Sequence, residues 1–505
     1  MDMLLQDRYE QLIKGTTSCF DRILISGTIP VICFAEGMTG YLNSKSVRIF
    51  DYPKFAEPFK EALRANAEAI AKTNDIEIEF VRNSSARKED IVSKAVAKNG
   101  KTQGLLYILS AMEACPTYKP WHDKKTGKTY LRGETGKCLH YYFYFNDPEL
   151  GFGYIRVPTW CPFRLQIYFN GHNILQKELF KNDIQAAMVD NAFDHIADFP
   201  LAQELSDKLD VSLLHKAFDR LAEIYCPVHK DFGQVYHWSI MQAEYATDII
   251  FKTKEDLNPI YDGLMKAAIH TVTPDNIATF LGHKLHASFQ GEIGNNYNVR
   301  IEGKRVKHHM GAISIKMYDK FGFILRIETT VNNVTLFKHY RTVEHHDGSK
   351  TQQLAPMKKN IYSLNPLREC LCSANHRYLE FISDIEDFSK GKNNIQTVSQ
   401  KVEDKGRAFK GFNLFDKLDL AIILSILRGE FKIYGFRCKD VKRFLPLLSS
   451  SQISRIFKRL WLHGLIRKIA KSYKYYITEM GQQTLLTCLK LKQMVIIPEL
   501  NLVRV

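Results

Sequence analysis

Hydrophobic positions in the first part of the chain follow two different periods. Residues 19–34 are apolar and rich in β-branched side chains, and residues 76–81 and 104–110 are strand-like. Residues 52–72 and 88–98 have the composition and spacing of helices. Strand and helix signals that alternate in this way predict an α/β region over residues 1–115.

Strand and helix signals are grouped differently over residues 116–385. Residues 139–145, 153–157 and 163–169 predict three consecutive strands, and strand signals return at 299–301, 314–318 and 324–330. Between them, 174–270 has mostly helical signals, and we include 242–251 among the predicted helices. This pattern predicts a body of mixed β-sheet and helical structure.

The last part of the chain predicts a separate module. Residues 386–411 are polar and contain Gly-Lys steps, so we expect a linker there. Beyond it, helical patterns at 416–428, 439–445 and 452–463 precede two strand patterns at 465–470 and 473–478. Three helices followed by a β-hairpin predict a winged helix-turn-helix over 412–505. The expected fold class is therefore α+β: a mixed α/β body with an antiparallel sheet and helical regions, plus this C-terminal module.

Two resemblances accompany this pattern. The run from His463-Gly464-Leu465-Ile466 to Thr478 and Gly481 resembles the DNA-binding domain of MarR-type regulators. That resemblance implies a recognition helix followed by a wing. The chain as a whole resembles an uncharacterised family of large bacterial proteins found with mobile elements, which identifies no catalytic residue.

Charge supports a nucleic-acid partner for the C-terminal module. Residues 405–505 contain 20 Lys and Arg against 6 Asp and Glu. The whole chain has 70 and 55, so the first 404 residues hold 50 and 49 and are nearly neutral. Such concentration favours a polyanion as the partner. We expect contacts from the third helix and from the wing, through Gln452, Arg455, Lys458, Arg459, Arg467, Lys468, Lys471 and Lys474. A winged module that only contacts protein is the alternative.

Composition limits the compartment and the cofactors. No apolar run is long enough to span a bilayer, so we expect no membrane partner, and the first 13 residues lack a signal-peptide layout. The ten cysteines form no CxxC pair. These features predict a reduced, cytoplasmic protein, and the resemblance to large mobile-element proteins implies a bacterial one. The sequence leaves open whether it forms a homo-oligomer.

The densest group of reactive side chains lies at 304–328. On the predicted hairpin, Lys316 and Tyr318 share one face of the first strand, and Arg326 and Glu328 share one face of the second. Part of this run, KMYDK…LRIE, resembles a hairpin of phage and plasmid replication initiators. Carboxylates can hold Mg²⁺, and basic groups can stabilise charge on a phosphate. We therefore expect Asp319, Glu328 and Lys316 as catalytic residues, Asp319 and Glu328 as Mg²⁺ ligands, and Lys304, Arg305, Lys307 and Arg326 as nucleic-acid contacts.

Other candidates have simpler explanations. Glu244 and Asp248 lie four residues apart on a predicted helix, where two carboxylates can share a metal, but solvated acids are commoner. An RNase H-type core needs an Asp inside its first strand, whereas Asp21 precedes the strand predicted at 23–26. Tyr318 or Tyr245 could act as a nucleophile, but neither is singled out. The chain contains no P-loop, GxSxG or HExxH motif.

Three functions remain open at this point. The first is a DNA- or RNA-binding component of a mobile-element or defence system, with nuclease, recombinase or transposase-like strand-transfer activity. The second is a winged-helix transcriptional regulator with a large sensor or oligomerisation body. The third is a non-enzymatic ribonucleoprotein scaffold. We favour nucleic-acid binding in all three, and DNA over RNA as the partner.

Overall fold

The fold was examined in a computed structural model. It describes residues 4–83, 86–285, 289–300, 303–386, 388–428, 431, 435–470, 472–492, 496–497 and 500. The helices are α1 (Leu5–Arg8), α2 (Ala35–Ser44), α3 (Tyr52–Asn74), α4 (Lys88–Asn99), α5 (Gly171–Lys181), α6 (Phe199–Asp207), α7 (Val211–Tyr225), α8 (Lys254–Thr271), α9 (Pro274–Phe280), α10 (Leu364–Glu386), α11 (Phe388–Ser399), α12 (Lys417–Ile426), α13 (Cys438–Lys442), α14 (Ser450–Leu462) and α15 (Glu479–Leu491).

Nineteen strands are described as well. They are β1 (Ile13–Thr28), β2 (Ile78–Phe80), β3 (Gly104–His122), β4 (Thr129–Asp147), β5 (Gly151–Pro158), β6 (Leu165–Phe169), β7 (Ala186–Met188), β8 (Phe193–Ile196), β9 (His237–Phe251), β10 (Ile293–Arg300), β11 (Gly303–Met310), β12 (Ile313–Lys320), β13 (Ile324–Val331), β14 (Lys338–Glu344), β15 (Lys350–Pro356), β16 (Val402–Asp404), β17 (Arg407–Phe409), β18 (Ile466–Lys468) and β19 (Tyr475–Ile477). The protein is thus mixed α/β, as expected, and the chain forms two compact units, residues 1–382 and 383–505.

One large sheet organises the first unit. Its eleven strands lie in the order β10-β11-β12-β13-β9-β1-β6-β5-β4-β3-β2, and neighbouring strands are antiparallel except for β2 and β3. The connectivity repeats on the two sides of the central β1–β9 pair. After β1 the chain forms helices and later a meander from β3 to β6, and β6 pairs with β1. After β9 it forms helices and a meander from β10 to β13, and β13 pairs with β9.

The two faces of this sheet differ in polarity. One face packs against helices of both halves and forms the main core, which includes Ile167, Ile249, Ile327, Phe218 and Leu371. The other face is covered at two places. There, α4 packs over the tyrosines of β4 and β5, and α5, α6 and the β7–β8 hairpin pack over Ile250 and Ile324. Polar side chains occupy the sheet between these two covers.

Several sequence predictions are corrected by this architecture. Residues 242–251 form most of β9 rather than a helix. Asp21 lies inside β1, the first long strand, and not before it. The boundary predicted after residue 115 falls within β3, because that strand continues to His122. The stretch predicted as a linker, 386–411, contains α11, β16 and β17 and belongs to the second unit.

The second unit has its own core. Ile422 of α12, Val441 of α13, Phe457 of α14 and Leu485 of α15 are buried together. The Ser449 side chain caps α14 by accepting a hydrogen bond from the Gln452 amide, as the run of serines indicates. After α11 and the short β16–β17 hairpin, the elements described in this unit are α12, α13, α14, the β18–β19 hairpin and α15. Among the described residues of the whole chain, no helix is both long and apolar enough to cross a membrane.

Candidate metal and nucleic-acid site

A β-bulge shapes the centre of the polar face. Phe20 of β1 lies opposite Tyr245, and Ile23 lies opposite Ala243. The two residues between them, Asp21 and Arg22, therefore both face Glu244 on β9. A bulge of this kind redirects a side chain that regular alternation would place elsewhere. Here it brings the Asp21 carboxylate beside Glu244.

Three carboxylates meet at this point. One oxygen each from Asp21, Glu244 and Glu328 lies within 4.8 Å of the other two. Asp21 and Glu328 are buried, and Glu244 is half-buried with 14% of its side chain exposed. Burial and the neighbouring Glu328 and Asp21 carboxylates raise the pKa of Glu244. The three groups thus form a like-charged cluster that opens to solvent through Glu244.

Lys316 and Tyr318 of β12 hold the third carboxylate. Lys316 Nζ donates to Glu328 Oε1 at 2.5 Å and lies 3.5 Å from Glu244 Oε1. The Tyr318 hydroxyl donates to Glu328 Oε2 at 2.7 Å. Burial raises the pKa of Tyr318 well above its ordinary value, and Glu328 raises it further. Tyr318 therefore stays protonated and donates a hydrogen bond to Glu328. A protonated tyrosine held in this way does not suit a nucleophilic role.

Arg326 holds the Asp21 carboxylate in place together with Asp248. Its guanidinium binds both carboxylate oxygens of Asp248 at 2.6 Å and lies 3.4 Å from Asp21. Burial opposes ionisation of both aspartates, but the charge of Arg326 and the interactions with His172 and other neighbours together more than compensate. They keep the pKa of Asp21 far below its ordinary value and lower that of Asp248 to about 2. Arg326 is fully buried, so it is a structural cation and not the nucleic-acid contact expected from sequence.

Asp21 is also fixed by neighbours from the covering layer. Asn170 and Asn191 each donate a side-chain amide hydrogen bond to Asp21 Oδ1, at 3.1 and 2.6 Å. Arg326 Nη2 lies 3.1 Å from His172 Nε2. Because a guanidinium can only donate, Nε2 must accept and the His172 proton resides on Nδ1. Nδ1 then points to Asn170 Oδ1 at 3.1 Å and to Asp21 at 3.3 Å.

The predicted metal pair is separated by the sheet. Asp319 pairs with Leu325, whereas Lys316 pairs with Glu328, so Asp319 and Glu328 lie on opposite faces. The Asp319 carboxylate accepts a hydrogen bond from the Lys304 amide at 3.1 Å. Asp319 therefore fixes the β11–β12 hairpin. Of the three expected catalytic residues, the structure brings together Lys316 and Glu328.

Basic residues of β11 line the same polar face beside the carboxylates. Lys307 pairs with Lys316, and Arg305 pairs with Tyr318. Burial, together with the charges of Lys316 and Arg305, lowers the pKa of Lys307. Positive charge is thus concentrated next to the cluster. Lys304 instead forms a solvent-exposed ion pair with Asp262 at 2.7 Å.

The basic residues expected on the third helix of the second unit have different environments. Arg459 is buried, binds Asp419 at 2.7 and 2.8 Å, and donates to the backbone of 410–411. It is therefore an internal cation and not a nucleic-acid contact. Lys458 pairs with Asp404 at 2.8 Å. Gln452 caps the helix start by accepting a hydrogen bond from the Ser449 amide. Arg455 is exposed.

The expected wing residues lie on and beside the β18–β19 hairpin. Arg467 and Lys468 are exposed on β18, and Lys474 is half-buried with its ammonium 5.7 Å from the Tyr476 ring. Lys471 lies outside the described residues. The hairpin therefore presents at least two cations to solvent.

Sequence reasoning missed half of the site. The sequence pattern gives no signal for His172 and places Asp21 outside its strand. It puts Glu244 and Asp248 on a helix, where solvated acids are commoner than a metal pair. Asp21 belongs to one of three irregular positions in the pairing of a sixteen-residue strand with β9. The signal that could have identified it is a charged pair, Asp21-Arg22, inside an otherwise apolar run. Tyr245, the other candidate nucleophile, is fully buried on the opposite face. Comparison of the chain with protein-family models, curated protein sequences and solved structures finds no match.

Proposed function

We propose that the first unit is a metal-dependent enzyme that cleaves or transfers phosphodiesters of nucleic acid, and that the second unit is a winged helix-turn-helix that binds nucleic acid. The observation that supports it most directly is the group formed by Asp21, Glu244 and Glu328 on a polar sheet face. The proposal includes a role in a mobile-element or defence-type system, with DNA favoured as the substrate.

The donor set suits a hard divalent cation. Mg²⁺ prefers carboxylate oxygens at about 2.1 Å in octahedral geometry, so adjacent ligands stand about 3.0 Å apart and opposite ligands about 4.2 Å apart. The three oxygens lie within 4.8 Å of one another, so side-chain shifts of about 1 Å would bring all three to one ion. A bound cation would also offset the repulsion that raises the pKa of Glu244. When bound, it would polarise a phosphoryl oxygen as a Lewis acid.

The surrounding cations suit a phosphate. Lys316 lies between Glu328 and Glu244, and Lys307 is adjacent on β11. The lowered pKa of Lys307 reflects burial and crowding of like charge, which an anion would relieve. Lysines fixed beside a carboxylate cluster could stabilise negative charge that develops on a transferring phosphate. This combination supports phosphodiester chemistry over a purely structural ion-pair network.

The second unit supports the nucleic-acid part of the proposal. In the part of this unit that the structure describes, α12, α13 and α14 precede the β18–β19 hairpin, which is the order of a winged helix-turn-helix. Arg455 is exposed on α14, and Arg467 and Lys468 are exposed on β18. Long donors at these positions could contact base edges and phosphates.

Nicking assays on the full chain test the enzymatic proposal. Glu244→Gln and Asp21→Asn should remove Mg²⁺- or Mn²⁺-dependent cleavage of DNA or RNA, because each removes one ligand charge. Asp319→Asn is the matched control, since Asp319 is an acid of the same hairpin that faces away from the site. Cleavage that survives in Glu244→Gln at the wild-type rate, in a variant with unchanged thermal unfolding, would refute the site.

A non-enzymatic scaffold is the second candidate, and one observation favours it. Lys316 Nζ already neutralises Glu328 at 2.5 Å, and Arg326 neutralises Asp248 and Asp21. If these cations complete the network, Mn²⁺ will not bind above background in calorimetry, and the chain will bind nucleic acid without cleaving it. Saturable Mn²⁺ binding that weakens at least about 10-fold in Glu244→Gln would instead favour the enzyme.

A further inference from the structure

The β3–β4 hairpin extends well beyond the sheet. Its two strands pair continuously from Gly104 and Asn146 out to His122 and Thr129. The next strand, β5, pairs with β4 only from His140 to Asp147. In the part of the chain that the structure describes, no third strand flanks the hairpin beyond His140. The outer half is therefore a free two-stranded ribbon.

The base of this ribbon is held in place by α2 and the segment before it. The Tyr118 hydroxyl donates to the Ile32 carbonyl at 2.7 Å, and the Leu131 amide donates to Thr39 Oγ1 at 3.0 Å. Tyr118 and Leu131 are both buried in the main core. The ribbon is therefore fixed to the main core up to Tyr118 on β3 and Leu131 on β4. Residues 119–132, which we call the ribbon tip, contain the turn and the paired residues that flank it.

The ribbon tip is strongly basic. It contains five Lys or Arg residues and a single acid, Asp123. That acid is used in the turn, where its carboxylate accepts hydrogen bonds from the Lys125 amide at 2.9 Å and from Thr126 Oγ1 at 2.7 Å. The turn is therefore ordered by local bonds. The five cations are all exposed: Lys119, Lys124, Lys125, Lys128 and Arg132.

Aromatic rings lie among these cations. Trp121 pairs across the ribbon with Tyr130, and Lys119 pairs with Arg132, so all four side chains share one face. The Arg132 guanidinium lies 4.8 Å from the centre of the Trp121 ring, and Trp121 is 43% exposed. An exposed tryptophan that is stacked by an arginine on a basic ribbon suits a partner that offers phosphates together with base edges and apolar groups.

We propose that the ribbon tip is a second nucleic-acid contact, which enters a groove of a duplex. The major groove of DNA admits a two-stranded β-ribbon and is about 8.5 Å deep. Beyond the anchored Leu131, the pairs Trp121–Tyr130 and His122–Thr129, followed by Asp123 and Lys128 at the base of the turn, extend about 10 Å at about 3.4 Å per residue. The ribbon tip is therefore long enough to reach the groove floor while its lysines contact phosphates on both sides. This contact is independent of the carboxylate cluster and does not require cleavage.

The test is the salt dependence of duplex binding by the full chain, measured in EDTA so that cleavage cannot contribute. In the triple variant Lys124→Gln, Lys125→Gln, Lys128→Gln, the slope of log K against log salt should fall by about 2–3, because each lost phosphate contact removes about 0.9. The matched control neutralises three exposed helical lysines, Lys72, Lys94 and Lys98. We expect that control to keep the wild-type slope.

Two outcomes would overturn the proposal. A triple variant with the wild-type slope would show that the ribbon tip does not contact nucleic acid, and its charge would then serve an acidic protein partner. A loss of binding that is larger for a single strand of the same length than for the duplex would refute the groove assignment.

Discussion

Replacing Arg326 with Met should strongly destabilise the first unit. The substitution keeps an apolar chain of similar length but removes a cation that lies 2.6 Å from Asp248 and 3.4 Å from Asp21. Both carboxylates then stay buried, at 1% and 5% exposure. Removing one partner of a buried pair costs about 3–5 kcal/mol, which is a large part of the roughly 5–15 kcal/mol that stabilises a typical domain.

The effect should depend on pH. In the wild type, the lowered pKa values of Asp21 and Asp248 mean that ionisation stabilises the fold above their ordinary pKa of 3.8. This contribution is lost as the pH falls toward about 2. Without Arg326, burial should raise both pKa values, so the carboxylates would take up protons on folding. The loss of unfolding free energy in Arg326→Met, relative to the wild type, should therefore become smaller as the pH is lowered from about 7 to about 5.

Urea unfolding measures this deficit. In a Trp461→Phe background, the remaining three of the four tryptophans belong to the first unit, so fluorescence reports that unit alone. We expect the midpoint of Arg326→Met to fall by about 1 M or more. Lys304→Met is the control, because the Lys304–Asp262 pair is solvent-exposed. A midpoint no lower than that of this control, or a deficit that is equal at both pH values, would refute the reasoning.

Three further predictions concern other parts of the molecule. The raised pKa of Glu244 predicts that calorimetric Mn²⁺ affinity falls as the pH drops toward that pKa, and that Glu244→Gln flattens this dependence. Arg459→Met should destabilise the second unit by about 3 kcal/mol, seen as faster hydrogen exchange in α14, because it leaves Asp419 buried without its cation. Gly171→Ala places a Cβ 2.3 Å from a β1 carbonyl oxygen and should cost about 1–3 kcal/mol in urea unfolding, whereas Gly40→Ala, with no atom within 4 Å, should be tolerated.

The β12–β13 hairpin could be predicted from sequence, and its register explains why. Strict alternation over 314–318 and 324–330 with a turn at Gly322 places Tyr318 opposite Arg326 and Lys316 opposite Glu328. Alternation also gave the three strands β4, β5 and β6. Local pattern is sufficient where partners follow each other along the chain. The prediction that Asp319 and Glu328 bind one Mg²⁺ is wrong because Asp319, at the end of its strand, is one residue out of phase with Glu328 and faces the other side of the sheet.

The central strands could not be assigned in the same way. Residues 242–251 include Gln, Ala and Glu, which favour helices, but β9 lies between β1 and β13, and those distant partners determine its conformation. The strand signal of β3 ends at residue 110, although the strand itself continues through Pro116 and Pro120. They are tolerated in β3 because the ribbon has a free outer edge, where a missing amide hydrogen breaks no ladder bond.

The repeated connectivity of the large sheet divides the carboxylate cluster between two halves of the chain. Asp21 comes from the first half, whereas Glu244 and Glu328 come from the second. The carboxylate cluster therefore forms only where β1 of the first half pairs with β9 of the second half. A chain severed in the exposed segment at 233–235, between the halves, would regain the cluster only when the two fragments reassociate.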